Sequence, residues 1–361
     1  MEIVKKLRNI TPLCFISSKN LVMYRFGKLL IYNLEELTVK KEIPIMEGLK
    51  DKILRILPFF DRTFRHSPRC AIALNSSQIL LNFQRSLMEF NLDNGTLEAV
   101  FTPSPGVRPL QFTYIKNIEN FSDGVYFGGY VFNHSKAEVS IYWRYGKGKW
   151  ETVYTFEEGL INHIHAIIPD ENENCVWILT GDDDKSVAFW KATNNFLNVE
   201  KVVGGNQKFR GCVGFPTAQG LLYATDSQWE TNTIRILKKN NGVYESEEIC
   251  EINGSCIYGC KWGDLFVFET SVEGEGLQNF SIKSILNSKP SSGIKTPYTC
   301  IYAGTPEKGF EKIFALKKDI LPFLLQLGAF LFPQGENNTR YLVTKAVATS
   351  KYDMTTLILQ K

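Results

Sequence analysis

The chain has 361 residues, of which 44% are hydrophobic and 13% are aromatic, so it can form a large packed core and intrinsic disorder is not expected. Its net charge of +3 is spread without long runs of one sign, which argues against a nucleic-acid partner. The basic N-terminus enters no long apolar run, and the most apolar stretch, residues 320–332, is too short to cross a bilayer, so we expect a cytoplasmic protein without membrane insertion.

Apolar runs with strand periodicity, separated by Gly, Asn, Asp and Pro, recur along the chain. Between residues 122 and 275 the repeat is about 45 to 50 residues long, and each copy passes from a short apolar strand into a polar cluster. A repeat of this length built from strands is typical of a four-stranded β-propeller blade. In chain order, the predicted blades cover residues 13–45, 70–101, 112–156, 164–203, 212–249 and 256–316.

The C-terminal part of the chain supplies only three further strands, at residues 329–332, 341–346 and 356–360. Residues 2–7 form a spare strand ahead of the first blade. Pairing this strand with the C-terminal ones would close the ring and leave no open sheet edge. The sequence therefore predicts an all-β fold in which residues 1–361 form one domain, a β-propeller of seven four-stranded blades. Six or eight blades are the alternatives.

Two long insertions and eight cysteines complete the survey of the chain. Residues 46–68 predict a short helix, because four apolar residues fall on one helical face (Leu49, Ile53, Ile56 and Leu57). Residues 272–297 are rich in Ser, Gly and Lys and predict an exposed loop. The cysteines form no CxxC pair and lie mostly in apolar strands, which favours buried reduced thiols over disulfides or a zinc site.

One face of the predicted propeller collects the unusual polar residues. If strands A to D of each blade run outward from the channel, the B–C loops and the D–A connections open on the same face. The candidate catalytic residues on that face are His163, His165, Asp182 and Asp226. The candidate ligand-binding residues are Arg65, Arg108, Tyr126, Gln207, Arg210, Glu230 and Asn232.

His163 and His165 are two of only four histidines in the chain. Residues two apart on a strand project to the same side, so both imidazoles are expected to reach one ligand, either a metal ion or a substrate oxygen. A third metal ligand would come from Asp182, Gln207 or Asp226. The alternative is structural, with one histidine packed between blades and the other solvated. We expect no cofactor, with a divalent metal ion as the alternative.

Asp182 and Arg210 carry the charge of this face. Asp182 opens a run of three aspartates, and crowded carboxylates shift one another's pKa values in a way that suits an acid or a base. An ordinary acidic turn is the alternative. The planar guanidinium of Arg210 suits a carboxylate or phosphate on a ligand, whereas a structural ion pair with Asp182 or Asp226 is the competing interpretation.

Several of these residues belong to short motifs that occur in a fixed order. The motifs are Tyr126-Phe-Gly-Gly-Tyr130, His163-Ile-His165, Thr180-Gly-Asp182, Gly204-Gly-Asn-Gln207 with Arg210, and Thr225-Asp-Ser227 with Glu230 and Asn232. Through them the segment of residues 106–273 resembles the sialidase-like propellers with BNR or Asp-box repeats, and more narrowly bacterial propeller proteins labelled glycosyl hydrolases. Gly129 stands where that group has a glutamate, the Asp-boxes are eroded, and no Tyr–Glu nucleophile pair of a sialidase can be assigned.

The resemblance implies a carbohydrate-active enzyme, a hydrolase or a lyase, that acts on an acidic glycan or glycan precursor at the channel mouth. In that interpretation Arg108 and Arg210 hold an anionic group, His163 or His165 transfers protons, and an aspartate acts as acid, base or orienting partner. The alternative is a non-catalytic propeller that serves as a glycan-binding or protein-interaction platform.

Overall fold

The structure is a computed structural model, and it describes residues 1–45, 53, 59–104, 106–274 and 286–361. The described strands form seven four-stranded antiparallel sheets, which are the blades of a β-propeller. The predicted fold class and blade count are therefore confirmed. The expectation that residues 1–361 form one domain stays a prediction.

The first three blades are built from consecutive strands. Blade 1 contains β2 (Thr11–Phe15), β3 (Asn20–Arg25), β4 (Lys28–Asn33) and β5 (Thr38–Pro44). Blade 2 contains β6 (Ala71–Ala73), β7 (Gln78–Phe83), β8 (Ser86–Asn91) and β9 (Leu97–Phe101). Blade 3 contains β10 (Thr113–Ile115), β11 (Gly124–Gly128), β12 (Val139–Gly146) and β13 (Lys149–Phe156).

The next three blades follow the same order. Blade 4 contains β14 (His163–Asp170), β15 (Cys175–Gly181), β16 (Ala188–Thr193) and β17 (Asn198–Gly204). Blade 5 contains β18 (Gly211–Thr217), β19 (Gly220–Thr225), β20 (Asn232–Asn240) and β21 (Val243–Ile252). Blade 6 contains β22 (Gly259–Trp262), β23 (Leu265–Thr270), β24 (Tyr298–Thr305) and β25 (Gly309–Lys317).

Blade 7 joins the two ends of the chain. Its inner strands are β26 (Ala329–Leu331), β27 (Tyr341–Val347) and β28 (Thr355–Gln360), and its outer strand is the N-terminal β1 (Glu2–Arg8). β1 pairs antiparallel with β28, as the strand count predicts. This pairing gives β28 a neighbour on both sides, so the ring closes without an unpaired strand in blade 7.

The two insertions are only partly described. The predicted helix falls mainly on residues outside the described ranges, and a short helix, α1 (Phe59–Phe64), stands near the end of that insertion. Of the predicted loop at residues 272–297, residues 275–285 lie outside the described part of the chain. None of the helices described is long and apolar enough to cross a bilayer.

The core lies between neighbouring blades, because each sheet buries both faces against the next. Val22 and Leu29 of blade 1 pack with Leu81 of blade 2, and Phe189 of blade 4 meets Tyr223 of blade 5 edge to face with ring centroids 4.8 Å apart. All eight cysteines are free thiols, six of them buried, as the sequence predicts.

The innermost strands of blades 4 and 5, β14 and β18, each contain a β-bulge near their first residue. In β14 the register against β15 shifts between Ile164 and Ala166, so His165 is the extra residue of a bulge. In β18 the register against β19 shifts between Gly211 and Val213, which makes Cys212 the extra residue there. Such bulges change the direction of a side chain relative to a regular strand.

A buried ion pair joins the third strands of blades 2 and 3. Arg144 donates from Nε and Nη2 to the two carboxylate oxygens of Glu89 at 2.8 and 2.6 Å, and the Gly148 N–H donates to the same carboxylate at 2.8 Å. The Glu89 side chain is 4% exposed and that of Arg144 is 18% exposed. Removing one partner of such a pair leaves the other without compensation.

We predict that Glu89→Gln lowers the free energy of unfolding by roughly 2–4 kcal/mol, a range reduced slightly because Arg144 keeps some contact with water. Urea denaturation measures the change. Glu42→Gln is the control, since Glu42 forms an exposed pair with Lys28 and its loss should cost less than about 1 kcal/mol. Equal losses in the two variants would contradict the prediction.

Candidate functional site

Blades 4 and 5 bring five of the predicted polar residues together on one face of the propeller. His163 and His165 lie at the start of β14, and Asp182 follows the end of β15. Arg210 precedes β18, directly after a short 3-10 helix, and Asp226 follows the end of β19. Strand starts and strand ends of the two inner strands meet at the same edge, so residues far apart in sequence become neighbours. We call these five residues the blade 4–5 cluster.

The two imidazoles face each other and share one carboxylate oxygen. Nε2 of His163 lies 3.0 Å from Nε2 of His165, and Oδ1 of Asp182 lies 3.4 Å from the first and 3.3 Å from the second. On the other side of each ring, Nδ1 of His163 lies 3.0 Å from the Val131 carbonyl oxygen and Nδ1 of His165 lies 3.1 Å from that of Gly211. A carbonyl only accepts, so each Nδ1 carries a hydrogen and donates it. In the neutral imidazoles both Nε2 atoms are then acceptors.

The Thr-Gly-Asp turn fits closely around His165. A Cβ atom on Gly181 would lie 2.3 Å from Cε1 of His165, so a larger residue at this position would displace the ring. The Asp182 N–H donates to Oδ1 of Asn162 at 3.0 Å, and its carbonyl accepts from Nε2 of Gln207 at 3.2 Å. The turn is therefore held from blades 4 and 5 at once.

Arg210 lies between two carboxyl groups with different protonation. Its Nη2 is 3.0 Å from Oδ1 of Asp182, and its Nε forms a longer ion-pair contact, 3.5 Å, with Oδ2 of Asp226. The Cys212 thiol donates to the same Oδ2 at 3.2 Å. Burial alone would raise the pKa of Asp182, but hydrogen bonds that the protonated forms of the two imidazoles donate from Nε2, together with the charge of Arg210, outweigh it and hold that pKa well below its usual range. Burial raises the pKa of Asp226 to about 8, against the opposing charge of Arg210. At neutral pH Asp182 is ionised, whereas Asp226 is mostly protonated.

Burial also shifts the pKa values of His165 and of the neighbouring Cys212 thiol. It lowers the pKa of His165, which favours the neutral imidazole. It raises the pKa of the Cys212 thiol well above its ordinary value, so this sulfur stays protonated. Two overlapping sets of residues place possible metal ligands within 4.8 Å of one another: His163 with His165 and Asp182, and His165 with Cys212 and Asp226. The first set contains two imidazoles that each donate Nδ1–H to a carbonyl, as metal-binding histidines commonly do, so it suits a metal better.

A cavity of about 440 Å³ lies in the channel beside the cluster. Innermost strands of several blades line it, and its charged lining is cationic except for Asp61: Arg62, Arg65, Arg69, Arg108, Lys261 and Lys345. None of the five residues of the blade 4–5 cluster lines the cavity. Tyr130 connects the two features, because its ring lies 4.3 Å from that of His163 and 4.9 Å from the Arg69 guanidinium.

Three of the four cavity arginines lack acidic partners in the described part of the chain, whereas Arg62 is paired with Asp319 and Asp353. Arg65, Arg69 and Arg108 form no ion pair within the described ranges of the chain. Burial lowers the pKa of Arg108, and the charges of Arg69, Arg85 and Arg65 lower it further. An uncompensated group of guanidinium ions favours the binding of an anion.

The structure places the predicted site residues in different environments. His163, His165, Asp182, Asp226 and Arg210 meet in the blade 4–5 cluster, and Gln207 holds its turn. Arg65 and Arg108 line the cavity instead. Glu230 is exposed on the loop between β19 and β20.

Two predicted ligand-binding residues require correction. Tyr126 is fully buried in the core, and its hydroxyl donates to the Ser122 carbonyl at 2.8 Å, because it points from β11 into the sheet packing. Asn232 is fully buried as well. Its Oδ1 accepts from the Ser227 N–H and its Nδ2 donates to the Ser227 carbonyl, so this side chain closes a turn. Neither side chain is open to a ligand.

Arg69 and Cys212 belong to the site region although sequence reasoning did not select them. The spacing of Arg62, Arg65 and Arg69 ahead of β6 was a usable signal, since a D–A connection of a propeller opens on the predicted face. Cys212 gave no signal, because a cysteine at the start of an apolar strand looks like any core residue.

No protein-family description and no curated protein matches this sequence. Solved structures do match. The β-propeller domain of Myceliophteria thermophila Cps50 (Swd1) aligns with a TM-score of 0.55 at 9% identity, over 99% of this chain and 98% of that chain. A chain of the Mitotic Checkpoint Complex gives a TM-score of 0.55 at 9% identity, over 99% and 92% of the two chains. Regucalcin, a calcium-binding protein from Agrobacterium tumefaciens, aligns with a TM-score of 0.46 at 13% identity, over 89% of this chain and 94% of that chain. The first two similarities show a β-propeller fold and nothing beyond the fold.

We predict that Asp226 makes stability depend on pH. Its pKa is about 8 in the folded protein and about 4 in an unfolded chain, so between these values unfolding releases a proton. The unfolding free energy should therefore fall as pH rises from about 4 to 8, by at most about 1.4 kcal/mol per pH unit from this group. Asp226→Asn should remove this part of the slope, as measured by urea denaturation between pH 5 and 8.

Asp264→Asn, at an exposed position, serves as the control for loss of one carboxyl group. The difference between the two variants isolates the contribution of Asp226 from that of other titrating groups. If the stability of Asp226→Asn runs parallel to that of the parent protein across this range, Asp226 is already ionised in the folded state and the assignment is wrong.

Proposed function

We propose that this propeller is a carbohydrate-active enzyme, a hydrolase or a lyase, that binds an acidic glycan or glycan precursor in the arginine-lined cavity. The blade 4–5 cluster beside the cavity supplies the groups for proton transfer. The observation that carries the proposal is the convergence of two imidazoles, Asp182, Arg210 and Asp226 next to that cavity, with the His163, His165 and Asp182 atoms within 3.4 Å of one another.

The cavity suits a small anionic ligand in both size and charge. Its volume of about 440 Å³ falls within the roughly 300–1,000 Å³ of small-molecule sites. The guanidinium groups of Arg65, Arg69 and Arg108 offer planar paired donors to a carboxylate, as in a uronic acid. The Tyr258 ring, which also lines the cavity, adds an apolar surface of the kind on which a sugar ring packs.

The two aspartates suit opposite roles in proton transfer. Environments that push two carboxyl pKa values apart assign one group as base and the other as acid. Asp182, ionised and with a side chain that is 48% exposed, would accept a proton or orient the ligand. Asp226 keeps its proton at neutral pH and would donate it, either directly or through the imidazoles. Whether the bond is broken by hydrolysis or by elimination depends on the ligand, and both reactions use these roles.

The motif order between residues 106 and 273 supports the same proposal through its resemblance to sialidase-like propellers labelled glycosyl hydrolases. Free, mostly buried thiols are typical of a reducing compartment, which supports action in the cytoplasm.

A second candidate is a non-catalytic platform that binds an anionic ligand or a protein. One observation favours it: His163 and His165 are only 5% and 2% exposed, and neither lines the cavity. In that case the cluster would stabilise the junction of blades 4 and 5, and the arginines would bind without chemistry. The two candidates differ in turnover, whereas both predict binding of acidic ligands.

We predict that Arg108→Gln weakens the binding of uronic-acid oligosaccharides by about tenfold or more, because a charged hydrogen bond contributes on the order of 1.5–3 kcal/mol. Isothermal titration calorimetry measures the dissociation constant, and the melting temperature should stay unchanged because Arg108 is exposed. Arg8→Gln removes the same charge from the outer strand β1 and is the control. Binding that is equal for acidic and neutral oligosaccharides, or unaffected by Arg108→Gln, would contradict anion recognition in the cavity.

A cleavage assay with acidic oligosaccharides distinguishes an enzyme from a non-catalytic platform. New reducing ends or the ultraviolet absorbance of an unsaturated product reports cleavage, and Asp182→Asn should abolish it while the ligand still binds. If the parent protein binds acidic oligosaccharides and cleaves none, the platform is the correct function.

A further inference from the structure

The blade 4–5 cluster places three acceptor atoms together, and in the neutral imidazoles no hydrogen lies between any two of them. We propose that Nε2 of His163, Nε2 of His165 and Oδ1 of Asp182 bind one divalent first-row transition-metal ion. The proposal concerns the same residues as the proposed function but needs no substrate, so it succeeds or fails independently of the carbohydrate chemistry.

The first argument is the direction of the imidazole hydrogens. The Val131 and Gly211 carbonyls accept the Nδ1 hydrogens at 3.0 and 3.1 Å, which leaves a lone pair on each Nε2. These lone pairs face each other at 3.0 Å and face a carboxylate oxygen at 3.3 and 3.4 Å. These three acceptors repel one another, and Nη2 of Arg210 offsets the repulsion at Oδ1 only, from 3.0 Å away, whereas a cation among the three atoms would offset it for all of them. A histidine that binds a metal through one nitrogen commonly donates its other N–H to a carbonyl or carboxylate, as both do here.

The second argument is the size of the triangle. Ligand atoms about 2.0–2.1 Å from one ion lie about 3.4 Å apart at tetrahedral angles and about 3.0 Å apart at right angles. The observed edges of 3.0, 3.3 and 3.4 Å fall in that range. An ion therefore fits without rearrangement of the three side chains.

The third argument is the charge of the surroundings. Arg210 is influenced by three carboxyl groups, those of Asp226, Asp182 and Glu273. Among the described residues, Oδ1 of Asp226 and Oε1 of Glu273 are buried without a hydrogen-bond partner. Buried oxygens of this kind favour a nearby cation.

The donor set narrows the identity of the ion. Two imidazoles and one carboxylate suit Mn²⁺, Fe²⁺, Co²⁺, Ni²⁺ or Zn²⁺, whereas Ca²⁺ and Mg²⁺ prefer oxygen ligands alone. Three protein ligands leave at least one position for water or a ligand atom. The partly exposed Asp182 side chain provides the route from solvent, since both histidines are buried.

The test uses the full chain after removal of metals with a chelator. Titration with Zn²⁺ and with Mn²⁺ should give one ion per chain, and saturation should raise the melting temperature by about 5 °C. Co²⁺ should give visible absorption bands that report its coordination geometry. His163→Gln, His165→Gln and Asp182→Asn should each weaken binding by about 100-fold, whereas the exposed-site controls His134→Gln and Asp264→Asn should bind as the parent does.

Three results would overturn the proposal: no saturable binding of any of these ions to the parent protein, equal binding by the three cluster variants, or equal weakening in the controls. Circular dichroism checks that each variant is folded. If a cluster variant unfolds, the Co²⁺ spectrum of the parent decides, because bands absent at saturating Co²⁺ exclude a site with imidazole ligands.

Discussion

Two backbone carbonyls set the chemistry of the blade 4–5 cluster. The carbonyl of Val131 in blade 3 and that of Gly211 in blade 5 accept the Nδ1 hydrogens of His163 and His165, which lie in the blade between them. Both Nε2 atoms are then directed at each other and at Asp182. Without these two hydrogen bonds either ring could donate from Nε2, and the cluster would be an ordinary hydrogen-bonded network with no need for a cation.

The closed ring makes this arrangement rigid. Blades 3, 4 and 5 each contribute an atom to the same small region, and the positions of those atoms follow from packing between neighbouring sheets. The bulge at His165 directs its ring toward His163, and the missing side chain of Gly181 provides the space that the ring occupies. Gln207 and Asn162 hold the Asp182 turn from opposite sides. The short turn thus keeps its carboxylate in place although the side chain is half exposed.

The fold could be predicted from the sequence because the repeat is local: strand periodicity and turn residues locate each blade within three residues of its bounds in the structure. The convergence of the histidines, Asp182 and Arg210 also followed from the repeat, since strand ends share an edge. What the sequence could not show was which polar residues are used by the fold itself. Tyr126 and Asn232 look like ligand-binding residues in a motif, yet tertiary packing buries both. The sequence also could not show that the arginine-lined cavity and the histidines are separate, because that separation depends on how the blades pack.

The tautomeric states of His163 and His165 provide the most direct test of a cation site in the blade 4–5 cluster. Nitrogen-15 NMR of the metal-free protein at about pH 8, where ordinary imidazoles are neutral, is practical because the chain has only four histidines. The account predicts that His163 and His165 both carry hydrogen on Nδ1 and none on Nε2. A neutral imidazole with its hydrogen on Nε2 at either position would contradict it, because the three acceptor atoms would then no longer require a cation.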